Sequence, residues 1–114
     1  MATDTDVAVI WAEPAATDLE ELVAFIAAEA PDNARKVLDR IAERASTLDR
    51  APRRGRVLPE LRALGISDFR ELIIKPYRLI YRITERQVIV LALLDGRRDL
   101  DDVLYERLVR PAPR

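Results

Sequence analysis

The sequence predicts an α+β fold, in which a long helical hairpin packs on a small sheet and a helix closes the chain. Two segments, 13–30 and 31–52, carry apolar residues at helical spacing and are joined directly at a proline. Three shorter runs, 69–75, 77–83 and 87–94, are rich in β-branched and aromatic residues and have short links between them, which predicts an antiparallel meander. The length of 114 residues fits one domain spanning residues 1–114.

A short strand, Val7–Trp11, is expected before the hairpin because it is β-branched and aromatic. Pro14 and Pro31 can each occupy the first turn of a helix, where the missing proline N–H costs nothing, and Pro52 marks the end of the second helix. Because the connection between the helices is short, they should be antiparallel neighbours. The stripe on the first helix comprises Leu19, Leu22, Val23 and Ile26.

The segments around the meander are less regular. Residues 50–68 are rich in arginine, with a single helical turn expected at Pro59–Leu64. The strand 87–94 is apolar throughout, as in a central strand that is covered on both faces. Residues 99–110 have helical spacing and predict a C-terminal helix across the second face or an edge of the sheet, and 111–114 are expected to form a flexible tail.

The middle strand of the meander, 77–83, has two different faces. One face carries Tyr77, Leu79, Tyr81 and Ile83, and the other carries Arg78, Ile80 and Arg82.

Composition excludes several kinds of chemistry. The chain has no cysteine and no histidine, which removes thiolate nucleophiles, disulfides, imidazole acid–base catalysis and the commonest metal ligands. Its three glycines are far apart, so no glycine-rich phosphate loop is present. Adjacent acidic residues lie in predicted helices, where their side chains point about 100° apart and so do not converge on a metal ion. We therefore expect no cofactor and no metal. No signal peptide or membrane-length apolar run is present, and we expect a cytoplasmic protein.

Charge is segregated along the chain. Residues 1–49 carry eleven acids and four bases, a net charge of −7, whereas residues 50–98 carry five acids and twelve bases, a net charge of +7. Nearly all cations of the basic block are arginines, whose planar guanidinium suits phosphate or carboxylate recognition. Two roles are open for Arg98. Either it pairs with Asp101 or Asp102 and stabilises the last helix, or it projects outward to a target with Tyr105 beside it.

Four motifs together resemble the RelE/ParE superfamily of bacterial toxins, the toxic halves of type II toxin–antitoxin modules, over nearly the whole chain. They are VIWAEPAATDLEEL, APRRGR after the second helix, FRELIIKPYRLIYRI, and LLDGRRD at the end of the last strand. The resemblance implies either of two activities. RelE-like members are ribosome-dependent mRNA endonucleases that use Lys, Arg and Tyr, whereas ParE-like members are not nucleases and poison DNA gyrase. The positions that match the nuclease pattern are Arg70, Arg78, Arg98 and Tyr105.

Departures from the nuclease pattern favour the ParE-like branch. Leu72 stands where nucleases often carry a second basic residue, and Asp95 stands where many relatives have histidine. The spacing from Arg98 to Tyr105 is one residue longer than in the nuclease pattern. The resemblance therefore implies a gyrase inhibitor with a role in plasmid stabilization, neutralised by a cognate antitoxin. The alternatives are a RelE-like endonuclease acting on the ribosome and mRNA, and a degenerate toxin that only binds its antitoxin. Target-binding residues are predicted to be Arg78, Arg97, Arg98 and Tyr105. Antitoxin-binding residues are predicted to be Arg70, Arg78, Arg82 and Arg98.

Overall fold

A computed structural model describes residues 7–109, so the predicted tail at 111–114 lies outside the described residues. The described part is α+β, as predicted, with five strands in one mixed sheet of order β1-β5-β4-β3-β2. The strands are β1 (Ala8–Trp11), β2 (Arg56–Val57), β3 (Phe69–Ile74), β4 (Tyr77–Ile83) and β5 (Gln87–Asp95). The helices are α1 (Glu13–Ala27), α2 (Pro31–Ser46), α3 (Pro59–Arg62) and α4 (Asp101–Leu104).

Helices α1 and α2 form the predicted hairpin, and both are shorter than the segments predicted for them, 13–30 and 31–52. Helix α1 ends at Ala27 because Pro31 disfavours helical geometry in the residue before it. After Ser46 the chain tightens into a 3₁₀ turn, Thr47–Asp49. The hydroxyls of Ser46 and Thr47 donate to the carbonyls of Glu43 and Arg44, at 2.7 Å and 2.6 Å, and so satisfy backbone groups at the helix end.

The meander β3-β4-β5 is antiparallel, as predicted, and two further strands extend it. Strand β1 pairs in parallel with β5, and the two-residue β2 pairs with β3 in the segment that sequence patterns left irregular. The β4–β5 register runs from Ile80 opposite Ala92 to Tyr81 opposite Val90, so Leu91 is the extra residue of a β-bulge.

The helical hairpin covers one face of the sheet. Leu79 and Tyr81 of β4 are fully buried there, which confirms the face predicted from their alternation. The rest of this core comes from both helices, the 3₁₀ turn and the strands β3 and β5, and includes Ala15, Ile41, Ala45, Leu48, Leu72, Ile74, Val88 and Val90.

A second, smaller core lies on the opposite face, where α3 and α4 pack. The predicted helical turn in the irregular segment is α3, and the predicted C-terminal helix is α4 continued by a π-helical segment, Tyr105–Val109. This core comprises Leu58, Leu61, Phe69, Ile80, Ala92, Leu100 and Leu104. No helix within residues 7–109 has the length and apolar character needed to cross a membrane.

The C-terminal segment is fastened to the β5 bulge by polar contacts. Arg107 donates from Nη2 to Asp18 Oδ2 at 2.9 Å and to the Leu91 carbonyl at 3.1 Å. The same Asp18 oxygen accepts the Leu93 N–H at 3.0 Å. Side chains from α1 and the C-terminal segment therefore satisfy β5 backbone groups beyond the end of β1.

Candidate partner-binding site

Arg78 on β4 is held almost completely by two carboxylates. Only 10% of its side chain is exposed. Its Nη1 and Nη2 donate to the two oxygens of Glu60 on α3 at 2.8 Å and 2.9 Å, and its Nε donates to Glu71 on β3. The hydrogen bonds to Glu60 are the main reason that the pKa of Arg78 lies above its usual value, and they hold the pKa of Glu60 below its usual range. Arg78 is thus a fixed internal cation.

Glu71 is the buried centre of this network. Its side chain has no exposed surface, and its second oxygen accepts the Nε of Arg56 at 2.5 Å. Arg56 is directly opposite Glu71 across the β2–β3 pair, which is why the two meet. Sequence reasoning missed Glu60, Glu71 and Arg56. A usable signal existed, since a charged residue on a buried strand beside an arginine-bearing strand predicts a cross-strand ion pair.

Arg70 lies on the hairpin face, opposite Tyr81, and holds the loop before β2. Its Nη1 donates to the Gly55 carbonyl at 2.7 Å and, more weakly, to the Arg53 carbonyl at 3.4 Å. The Tyr81 hydroxyl donates to the Pro52 carbonyl at 2.7 Å and accepts the Gly55 N–H at 2.9 Å. Burial raises the pKa of Tyr81, so this hydroxyl keeps its proton.

Arg97 and Arg98 lie in the turn that follows β5. The Gly96 N–H donates to the Pro76 carbonyl at 2.8 Å, which ties this turn to the β3–β4 link. Arg97 forms a two-pronged pair with Asp95 at 3.0 Å and 2.7 Å, and this pair lowers the pKa of Asp95 to about 2. The Arg98 side chain is exposed and has no hydrogen bond or ion pair with the residues of 7–109, Asp101 and Asp102 included.

The predicted site residues fall into separate groups. Arg97 and Arg98 share one turn, and the aliphatic stem of Arg78 lies directly under Gly96 of that turn, 3.0 Å from where a side-chain carbon would be. Tyr105 is 42% exposed in the C-terminal segment. Arg82 is exposed at the far end of β4, opposite Phe69, and Arg70 lies on the other face. The four predicted antitoxin-binding residues therefore do not form one surface, and their roles stay predictions.

Acidic side chains do not converge in a way that suits a cation. Among residues 7–109 no group of three or more acidic side chains is placed to hold a metal ion. The buried carboxylate Glu71 is compensated by Arg56 and Arg78 instead. Every buried polar side-chain atom in the described part of the chain has a hydrogen-bond partner.

Comparison with known proteins identifies the family. Residues 9–100 match the family described as "ParE toxin of type II toxin-antitoxin system, parDE". The chain belongs to the ParE toxin family. Its fold is similar to a solved structure described as a chromosomal ParDE TA system from P. aeruginosa, with a TM-score of 0.67, 19% identity, and coverage of 80% of this chain and 97% of that chain. No curated protein matches the sequence.

The ParE match confirms the resemblance inferred from the four sequence motifs, and it implies an antitoxin partner. The part of the chain that matches the ParE family ends at Leu100, just before α4. Tyr105 and Arg107 therefore lie beyond the part of the chain that the family describes, whereas Arg97 and Arg98 lie inside it.

Proposed function

We propose that this ParE-family protein inhibits DNA gyrase by binding it in the cytoplasm, and that a cognate antitoxin neutralises it. The observation that carries the proposal, beyond the family itself, is the state of Arg78. A nuclease would need this arginine free to face a phosphate, but Glu60 and Glu71 occupy all three of its donor nitrogens.

The charge of the network argues for binding rather than catalysis. Arg56 and Arg78 are balanced by Glu60 and Glu71, so the four side chains carry no net charge. Phosphoryl transfer depends on preorganised donors aimed at the charge that develops on the phosphate. Arg70 donates to loop carbonyls instead, which leaves only Arg98 and Tyr105 exposed among the four positions of the nuclease pattern.

The proposed target surface is the turn after β5 and the exposed ring of Tyr105. Arginine and tyrosine are, with tryptophan, enriched among the energetically dominant contacts of protein interfaces. The Arg98 side chain makes no hydrogen bond or ion pair with residues 7–109, so binding does not have to break an existing ion pair there. Arg78 supports this turn from below and is assigned a positioning role.

The test is a comparison of two reactions with the purified protein. In a supercoiling assay, we expect loss of gyrase activity and accumulation of cleaved DNA. In a translation extract, we expect intact mRNA. Cells that express the protein without antitoxin should filament and show a DNA-damage response. Translation arrest with active gyrase would instead establish the RelE-like endonuclease alternative, and inactivity in both assays with retained antitoxin binding would establish the degenerate toxin.

The proposed antitoxin has an acidic and apolar C-terminal segment that folds on this protein. The basis is the net charge of +7 over residues 50–98, together with the exposed Arg82 and Arg98. Reversing both charges, as Arg82→Glu with Arg98→Glu, should weaken antitoxin binding at least tenfold in a titration. Arg35→Glu, on the exposed face of α2, is the matched control. Equal affinity of the wild type, the double variant and the control would remove the electrostatic role of Arg82 and Arg98.

A further inference from the structure

We propose that a depression at the end of the sheet, on the face opposite the hairpin, binds a phosphate group of the DNA backbone. The inference rests on the proposed function, because DNA is the substrate of gyrase and a toxin bound there lies next to it. The depression is lined by Arg56, Ile73, Lys75, Pro76, Tyr77, Arg78, Gly96 and Arg97.

Three exposed cations surround this depression from three parts of the fold. Arg56 comes from β2, Lys75 from the β3–β4 link, and Arg97 from the turn after β5. Two tertiary contacts fix these parts relative to one another: Arg56 pairs with Glu71, and the Gly96 N–H donates to the Pro76 carbonyl. The cations therefore converge through the fold and not through proximity in the sequence.

Each of the three cations retains donors for a ligand. Arg56 donates only its Nε to Glu71, which leaves both terminal nitrogens without a partner among residues 7–109. The Lys75 ammonium has no hydrogen bond or ion pair with the described residues. Arg97 keeps its Nη1 after pairing with Asp95. The nearby carboxylates are Glu71, Asp95 and Glu60, which also interacts electrostatically with Arg56. They offer little competition, because Glu71 is buried and Asp95 and Glu60 are each held by two donors, from Arg97 and from Arg78.

The arrangement suits a phosphate better than a carboxylate. A carboxylate is satisfied by one guanidinium through two parallel bonds, as Glu60 is by Arg78 and Asp95 is by Arg97. Three cations from three directions instead match the several oxygens of a tetrahedral group. Arg98 follows Arg97 in the chain and is exposed outside the lining of the depression, so it offers a further cation to a continuous backbone. A DNA strand uses both positions, whereas a free phosphate ion uses one.

The test measures binding of a fluorescent duplex oligonucleotide to the full chain by anisotropy, over a range of salt concentrations and without gyrase. We expect Lys75→Ala and Arg97→Ala each to weaken binding several-fold and to reduce the slope of log K against log[salt] by about one. Lys75→Arg should retain binding. Lys36→Ala, an exposed substitution on α2, is the control and should behave as the wild type.

The inference would be overturned by no binding of DNA, by binding that Lys75→Ala and Arg97→Ala leave unchanged, or by binding of a glutamate-rich peptide in preference to DNA. Preference for single-stranded RNA over duplex DNA would also overturn it. A separate supercoiling assay distinguishes this inference from the proposed function. Gyrase inhibition without DNA binding overturns only the inference, and DNA binding without gyrase inhibition overturns only the proposed function.

Discussion

Arg78 and Arg98 show how the same residue type takes two opposite roles within one protein. Arg78 is on a strand covered by α3, and carboxylates on two neighbouring elements hold all its donor nitrogens. Arg98 lies beyond the end of β5. The first N–H of α4, that of Asp101, is accepted by Asp99, so this contact at the start of the helix does not involve Arg98. Burial therefore holds Arg78 inside the protein, whereas Arg98 is exposed to solvent.

We expect Arg98→Ala to keep the fold and the melting temperature, because the exposed side chain makes no hydrogen bond or ion pair with residues 7–109. A target contact by an interface arginine contributes about 2 kcal/mol, so the affinity for gyrase should fall about 30-fold and toxicity should fall with it. Toxicity on expression and gyrase inhibition in vitro are the measurements. Arg86→Ala, at the opposite end of β5, is the control. Full toxicity of an expressed Arg98→Ala protein would show that Arg98 does not contact the target.

We expect Glu71→Gln to destabilise the protein by about 3 kcal/mol, because it removes the buried charge that compensates Arg78. Urea denaturation gives the free energy of unfolding. Arg97→Ala removes an exposed ion pair and should leave the unfolding midpoint nearly unchanged. Similar midpoints for the two variants would show that burial does not determine how much the Glu71 network contributes to the free energy of unfolding.

At the scale of elements, the loop between α2 and β2 depends on contacts from β3 and β4. Tyr81 and Arg70 together bind backbone groups of Pro52 and Gly55. Gly55 must be glycine for lack of space, since a side-chain carbon there would lie 2.5 Å from the Glu71 carbonyl and 2.6 Å from the Tyr81 hydroxyl. This close approach places β2, and with it Arg56, beside Glu71.

Gly55→Ala should therefore destabilise the protein by about 3 kcal/mol and displace β2, because rigid backbone lies against the new methyl group. Gly65→Ala is the matched control. Gly65 has a φ of +79° but open space around it, so alanine there costs only the backbone strain of about 1 kcal/mol. Thermal unfolding of both variants tests the difference. A Gly55→Ala protein as stable as the Gly65→Ala protein would contradict the tight packing of the loop on β4.

Within the described part of the molecule, the two charge blocks of the sequence fall in different elements. Residues 7–49, which carry more acids than bases, form β1, the hairpin and the 3₁₀ turn, whereas the basic residues 50–98 form α3 and the other four strands. The basic block therefore supplies all three cations of the depression, Arg56, Lys75 and Arg97, and favours an anionic partner there.

Stability should be flat between about pH 8 and pH 5, because the chain has no histidine, and should fall below about pH 4. The pKa values of Glu60 and Asp95 are both lower in the folded protein than in the unfolded chain, but solvent screening keeps the contribution of the exposed Asp95–Arg97 pair to stability small. Groups of this kind stabilise the fold above their unfolded pKa values of about 4 and stop doing so as the pH falls through their folded values. Melting temperature against pH is the measurement.

Glu60→Gln should melt lower at pH 7 and lose less stability on acidification, since one of the two groups is gone. Glu29→Gln, exposed after the end of α1, should keep the acid slope of the wild type. An acid slope that is unchanged in Glu60→Gln would mean that its pair with Arg78 does not link folding to pH.

The sequence by itself determined the types and order of the main elements, the hairpin, the meander, and the ParE resemblance. These features depend on local periodicity and on short motifs such as LLDGRRD, which are readable without knowing what packs where. The absence of cysteine and histidine likewise excluded whole classes of chemistry.

Only the tertiary structure decided which arginines are free. The parallel β1–β5 pair, the short β2 and the ion pairs of Glu71 all join residues that are distant along the chain. Their formation depends on strand register, and a shift of one residue would move every side chain to the other face. Arg70, Arg78 and Arg98 look alike in the sequence, but the register turns two of them inward, toward carbonyls and carboxylates, and leaves the third exposed.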